Sequence, residues 1–183
     1  MHLRIVFGVI ILAVAGYASE LSFFRSSSQN PYHLSVGAVL FDSSGRIACH
    51  HFKKVPGHPG HEDIYILMRE TMENGETIFD TLRRGLREEF GAIGKPVAFL
   101  GSLVGNLPEE KFPFEKTTLY IACQVVEWDA AKRDPDDLEG VSLIEWLDPQ
   151  ELIAIMQRQG SCFKRVDVDE SEMIQRTLKI LQS

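Results

Sequence analysis

Cysteine is scarce in this chain. Only Cys49, Cys123 and Cys162 occur among 183 residues, far apart and in no CxxC spacing. That removes a disulfide framework and leaves reduced thiols in a cytosolic protein as the plain reading. An excess of positive charge is also missing: the formal net charge is -7. A nucleic-acid backbone, which calls for a basic face, is therefore not expected as the main partner. A small anionic substrate stays open, because a divalent cation can bridge it to an acidic protein. No apolar run reaches the roughly 20 residues a membrane-spanning helix needs. Internal repeats and low-complexity stretches are absent too.

What is present is the composition of a globular protein, 44% hydrophobic and 25% charged. At 183 residues the chain suffices for one domain with a full core. The N-terminus stands apart. One arginine precedes an apolar run from Ile5 to Val14, and small residues follow through Gly16 to Ala18. This layout has the form of a secretory signal or a short anchor. Residues 1–29 are accordingly set aside as leader and linker, and residues 30–183 as the domain. The alternative to a cytoplasmic protein is export or membrane anchoring, with membrane contact through residues 1–18.

The domain reads as alternating elements. Strands are expected at Leu34–Phe41, Arg46–Phe52 and Ile64–Met68, with a DSSG turn after the first and a proline-glycine loop from Val55 to Asp63. Thr77 and Asp80 form a capping-box pattern and Gly91 a C-terminal stop, so a helix is predicted over Ile78–Phe90. Strands at Val97–Val104 and Thr118–Trp128 flank a long loop, GNLPEEKFPFEK, of the sort that shapes a pocket. A strand at Val141–Leu147 follows. A helix begins after Asp148 with Pro149 at its first position and ends near Gly160. Asp169 and Glu172 repeat the capping pattern for a last helix to Leu181. This order predicts a mixed sheet with helices on its faces.

The predicted helix 78–90 carries the chemistry. At 100° per residue, Phe79, Leu82, Leu86 and Phe90 cluster as the core face. Asp80, Arg83, Arg84 and Arg87 lie away from it, toward solvent or neighbouring loops. Glu88 and Glu89 fall on either side of Gly85, beside the apolar face. Adjacent glutamates repel unless water or a cation surrounds them. Glu73-Asn74-Gly75-Glu76 adds a turn and further acids just before the cap, so a loop–helix unit with acids at both ends can surround a hard cation.

The segment LMRETMENGETIFDTLRRGLREEFGA resembles the signature box of the Nudix hydrolases. The family pattern is a glycine, five residues, a glutamate, seven residues, then Arg-Glu-apolar-any-Glu-Glu-any-Gly-apolar. Glu76 matches the isolated glutamate, and Arg84, Leu86, Glu88, Glu89 and Gly91 match the second half, with Ala92 at the last apolar position. LSVGAVLFDSSGRIAC is similar to the family's opening hairpin and VSLIEWLDPQELIAIM to its closing strand and helix. The resemblance implies an α/β/α sandwich around a mixed central sheet. It implies hydrolysis of a nucleoside diphosphate linked to another group, with Mg²⁺ or Mn²⁺ held by Glu88, Glu89 and Glu76 and with Glu88, Glu89 and Arg84 in the catalytic machinery. Two departures stand out. Glu70 replaces the box's first glycine, and Gly85 replaces the glutamate after the arginine. Glu70, Glu110 or a water in the space at Gly85 are the candidates to cover that lost acid. The competing expectation is a Nudix-fold nucleotide-binding or regulatory module without turnover.

Other residues also carry ligand chemistry. Cys49, His50, His51, His58 and His61, with Glu62 and Asp63, offer zinc-type donors. In a strand, however, His50 and His51 point to opposite faces, and the plain expectation is surface histidines near an active-site loop. Phe112 and Phe114 are expected to pin their loop, with base stacking as the alternative. Lys111 and Lys116 are expected in solvent, with phosphate contact as the alternative, and Glu139 and Glu145 as surface acids, with metal ligation as the alternative.

Overall fold

The structure, a computed structural model, describes residues 24–55, 61–107 and 113–182. The apolar run 5–14 and the small residues to Ala18 lie outside the described residues, as do His58, Glu110, Lys111 and Phe112. No helix among the described residues is long and apolar enough to cross a membrane.

Strand β1 (Tyr32–Phe41) is the centre of a seven-stranded mixed sheet. It is buried from Val36 to Phe41 because helices cover both faces, which is why its sequence is an unbroken apolar run rather than an alternating one. β1 pairs in parallel along its whole length with β6 (Phe114–Trp128), and β6 pairs antiparallel with the edge strand β5 (Ala92–Leu107). The other edge of β1 is shared. At its C-terminal end Phe41 meets Ile47 of β2 (Ile47–Lys54). Toward its N-terminal end Ser35–Ala38 pair with β4 (Met68–Thr71). β2 then diverges and pairs with β3 (Glu62–Ile66) and β7 (Leu143–Leu147).

This splaying corrects the single strand expected at 64–68. The chain leaves β2's neighbourhood in β3 and joins β1 in β4, and Leu67 is the switch. Its N–H donates to a carboxylate oxygen of Glu170 at 2.7 Å instead of to a strand. The predicted loop 105–116 is also shorter than expected. β5 and β6 stay in register through Gly105↔Lys116 to Leu107↔Phe114, and Phe114 stacks on His33 with ring centroids 5.8 Å apart.

Helix α1 (Ile78–Phe90) has the predicted bounds. The Thr77–Asp80 capping box is reciprocal, and Gly91 takes the left-handed conformation at φ 64°. Only glycine adopts that freely, and a Cβ there would lie 2.2 Å from the Asp129 carbonyl oxygen. Leu82, Leu86 and Phe90 enter a core with Val36, Ala38, Leu40, Met68 and Ile121. Phe79, placed on that face from the sequence, is instead 51% exposed. At 120° from Gly85 it points between the buried Leu86 and Phe90, so its exposure follows not from its angle but from its place in the first turn, where Ile78 and Leu82 already meet the core. Phe24, counted with the linker, packs against this core, and its carbonyl accepts from Leu34 N–H at 2.8 Å.

The opposite face holds α2 (Pro149–Phe163) and α3 (Ser171–Leu181), whose Leu152, Met156, Met173 and Ile174 pack on Val39, Phe41, Leu67 and Tyr120. α2 begins as predicted, with Asp148 accepting from Gln150 and Glu151 N–H. It runs past Gly160 to Phe163, because Gly160 serves close packing: a Cβ there would lie 2.5 Å from Asp169 Cβ. The residue preceding α3 is Glu170 rather than Asp169. Its side chain does not cap the helix but turns inward to Leu67 N–H and the Tyr120 hydroxyl. The result is an α/β/α sandwich, the expected class.

Candidate metal centre

The elements that build the site meet beside α1, where β4 and β2 splay apart. Arg84 is its hub. Nε and Nη2 donate to the two oxygens of Glu76 at 2.8 and 2.9 Å, and Nη2 also reaches the Thr71 carbonyl at 2.8 Å. Nη1 lies 3.0 Å from Glu70 Oε2 and 3.5 Å from Glu88 Oε2. The guanidinium thus holds three carboxylates from β4, the turn before α1 and α1 itself. Arg84 was expected on the outer side of the helix; it is half-buried under this turn, and the hydrogen bonds to Glu76 and the neighbouring carboxylates strengthen its hold on its proton.

A second arginine places the loop after β6. Arg133 donates from Nε to the Glu89 carbonyl at 2.5 Å, from Nη1 to the Ser142 carbonyl at 2.9 Å and from Nη2 to the Glu139 carbonyl at 2.7 Å. Asp134 N–H joins the Glu88 carbonyl at 2.9 Å. The end of α1 and the 133–142 loop are thereby stapled together, and Asp137 comes to face Glu88.

Glu70, Glu88 and Asp137 each offer one carboxylate oxygen, all within 4.8 Å of one another. This donor set suits a hard divalent cation, which takes oxygen ligands and keeps several waters. The neighbourhood holds more negative charge than the chain neutralises. Burial raises the Glu70 pKa, and Asp137 pushes it further the same way against the pull of Arg84. Burial and Asp137 push Glu139 up to about 7, so Glu139 is a member of this acidic group rather than the surface acid expected.

The three ligands expected from the sequence do not share one point. Glu88 is at the acidic cluster. Glu76 is turned to Arg84 and to the Thr81 hydroxyl at 2.9 Å, and the Arg84 hydrogen bonds hold its pKa down at about 2. Glu89 is 2% exposed and faces inward. Its Oε2 lies 2.8 Å from His50 Nε2, and His50 Nδ1 lies 2.7 Å from Ser142 Oγ. The physical reason is the helix itself: successive residues differ by 100°, so Glu88 faces β4 and the loop while Glu89 faces β2. Burial pushes Glu89 well up and His50 well down, the direction that favours the uncharged form of each. Ser142 Oγ donates to the Glu139 carbonyl at 2.7 Å. With that hydroxyl proton committed, Ser142 Oγ is an acceptor for His50 Nδ1–H, and one proton lies between His50 Nε2 and Glu89 Oε2.

Gly85 sits where Glu70 crosses the helix. A Cβ on Gly85 would lie 2.6 Å from Glu70 Cβ and 2.8 Å from Met68 Sδ. Of the histidines expected at the surface, His50 and His51 are buried. His50 and His51 do point to opposite faces, His51 toward Glu145 at 2.6 Å and Asp63 at 3.1 Å. Among the described residues they form no metal-ligand group with Cys49, which lies in the α2–α3 core, on the face away from His50, with its thiol pKa raised by burial. Asp137, Arg133 and Ser142 were missed. The acid-rich run from Asp134 to Glu139 following Arg133 was the available signal.

The fold and site define an α/β protein with an acidic centre at a loop–helix–loop segment. The chain belongs to the NUDIX family, whose domain model matches residues 31–166. It is similar to a NUDIX hydrolase from Nitrosomonas europaea, at 15% identity over 81% of this chain and 87% of that one, with a TM-score of 0.56. It is also similar to a MutT protein from Methanosarcina mazei Go1, at 13% identity over 86% of this chain and 100% of that one, with a TM-score of 0.52.

Proposed function

We propose that this protein hydrolyses a nucleoside diphosphate linked to another group, using Mg²⁺ or Mn²⁺ held at the acidic cluster. The observation that carries this reading is the convergence of Glu70, Glu88 and Asp137 oxygens within 4.8 Å of one another on an otherwise under-neutralised rim. The cation supplies charge compensation for the phosphate oxygens and makes water more acidic. Glu88 is its ligand from α1. Arg84 is a positioning residue, since its donors are directed to Thr71, Glu70, Glu76 and Glu88. Glu76 acts through Arg84, fixing the guanidinium with two oxygens. Glu89 anchors the end of α1 to β2 through His50, and its carbonyl anchors Arg133 and with it the loop that carries Asp137. The substrate is a small nucleotide-type diphosphate, and nucleic acid is not the partner.

The test is chromatographic detection of nucleotide products from a panel of nucleoside diphosphate compounds, with and without Mg²⁺. Turnover should require the cation and fall at least about a hundredfold in Glu88→Gln, more than loss of an outer-shell contact gives. Turnover that is indifferent to Mg²⁺ or to Glu88→Gln sinks the proposal. The second reading, a binding module without turnover, draws on Gly85, which removes an acid the family uses in catalysis. Saturable, Mg²⁺-dependent binding of the same compounds without products would establish that reading instead.

A further inference from the structure

Two positions of the signature segment depart from the family pattern in opposite senses. Glutamate stands at 70 in place of glycine, and glycine stands at 85 in place of glutamate. They are fifteen residues apart in sequence, yet the structure puts them against each other. A Cβ on Gly85 would lie 2.6 Å from Glu70 Cβ and 3.3 Å from Glu70 Cγ. The stem of Glu70 therefore occupies the space that a side chain at 85 would enter, and the site has room for one of these two stems.

We infer that the two positions have exchanged roles, so that Glu70 delivers from β4 the carboxylate ligand that Gly85 has removed from α1. This rests on the cation-dependent reading above and deepens it. The end of the Glu70 side chain carries the argument. Its carboxylate shares the cluster with Glu88 and Asp137, and its stem lies against Gly85 of α1. One oxygen is fixed by Thr71 N–H at 2.7 Å, and the other lies 3.0 Å from Arg84 Nη1. The side chain is only 14% exposed, so its direction is set by packing. Arg84 already holds both oxygens of Glu76, so it has no shortage of counter-charge that Glu70 alone would relieve. The glycine in the helix interior, an unfavourable residue there, is explained by the same crossing: any larger residue would collide with the Glu70 stem and with Met68. The exchange keeps the carboxylate at the cluster and changes only the element that carries it.

Mn²⁺ alone is the probe, titrated against the full chain with free Mn²⁺ read by electron paramagnetic resonance, so that no substrate or turnover is involved. Melting temperatures in chelator report folding separately. Glu70→Gln keeps the shape and the acceptor for Thr71 N–H, and it should weaken Mn²⁺ binding by about tenfold or more, as should Glu88→Gln. Gly85→Glu alone should lower the melting temperature. The exchanged pair, Glu70→Gly with Gly85→Glu, should melt above Gly85→Glu and bind Mn²⁺ within about threefold of the parent, a loss smaller than any ligand deletion gives. Parent-like binding in Glu70→Gln alongside lost binding in Glu88→Gln would overturn the exchange and leave the cation-dependent reading standing. No Mn²⁺ binding by the parent would remove both. Should the Gly85→Glu variants fail to fold, Glu70→Gln against Glu88→Gln decides alone.

Discussion

Glu88 and Glu89 are neighbours in sequence and opposites in circumstance. Glu88 is 28% exposed and joins Glu70 and Asp137, with Arg84 at 3.5 Å and the exposed Arg87 at 4.0 Å as cations in reach. Glu89 is 2% exposed and sits in a closed set of neutral groups, where His50, Ser142 and the Arg69 backbone N–H supply its surroundings. Both sides are polar, but only one is complete. On the Glu89 side the carboxylate, His50 and Ser142 find their partners within the chain, so adding an ion gains little. On the Glu88 side carboxylates outnumber guanidinium groups, and a bound cation would complete the set. The opposing strand makes the difference: β2 presents a histidine and β4 a glutamate.

Breaking the complete side should have the largest effect. His50→Ala removes a fully buried ring that packs 4.6 Å from Phe90 and orphans the groups it joins. The expected loss is about 3–5 kcal/mol in urea unfolding, the range for large buried truncations with unpaired polar neighbours. Divalent cation should recover none of it. A loss under about 1 kcal/mol, ordinary for a surface change, would show that the network is not holding α1 on β2.

Breaking the incomplete side should cost less and respond to metal. Arg84→Met leaves Glu70, Glu76 and Glu88 facing one another without their shared cation, at an expected cost of about 2–3 kcal/mol in chelator, scaled from charged hydrogen bonds in a half-buried setting. Millimolar Mg²⁺ or Mn²⁺ should return part of this, because a ligand that binds only the folded form stabilises it by mass action. The contrast with His50→Ala is the informative result. Equal metal response in both variants would erase the distinction between the two sides.

The sequence made one of these sides legible and not the other. α1 was readable to the residue, because a capping box and a left-handed glycine are local signals whose physics is contained in a few residues. The 100° step separated Glu88 from Glu89 but could not say which strand each would meet. That depends on β2 and β4 sharing one edge of β1, a long-range outcome hidden by the continuous apolar run through Ile64–Met68. Asp137 and Arg133 were out of reach for the same reason. They lie over forty residues from the box and enter through a loop whose spacing carries no periodicity. His50 could be placed on a face by alternation, but its burial follows from what β7 and the Ser142 loop lay over it. Phe79 shows the limit of the wheel itself: its angle falls between those of the buried Leu86 and Phe90, yet it is exposed, because an angle does not say where along the helix axis the core ends.

The smallest expected effect concerns protons. Burial places the folded His50 well below its ordinary value of 6.5 and the folded Glu89 well above its ordinary value of 4.5. For His50 this contributes stability that is present above about 6.5 and lost as pH falls; for Glu89 it contributes stability that is present below about 4.5 and lost as pH rises. The folded pair therefore holds one proton between them across the middle range. The unfolded pair also holds one between about 4.5 and 6.5, on the histidine, so the two slopes cancel there and this pair's contribution is flat. Above about 6.5 the unfolded pair holds none, and stability falls by up to about 1.4 kcal/mol per pH unit as pH rises. Glu89→Gln keeps a donor for His50 Nε2 and an acceptor for Arg69 N–H but carries no titrating proton. In chelator, the variant should gain on the parent as pH rises above about 6.5, and should lose stability by up to about 1.4 kcal/mol per unit as pH falls from 6.5 to 4.5, where the parent is level. Glu70, Asp137 and Glu139 lie near enough to push Glu89 further up, so the comparison is the difference between the two proteins at each pH rather than either curve alone. Parallel curves for parent and variant from pH 5 to 8 would show that Glu89 is ionised in the folded protein, and the division into a closed neutral side and an open charged side would fall with it.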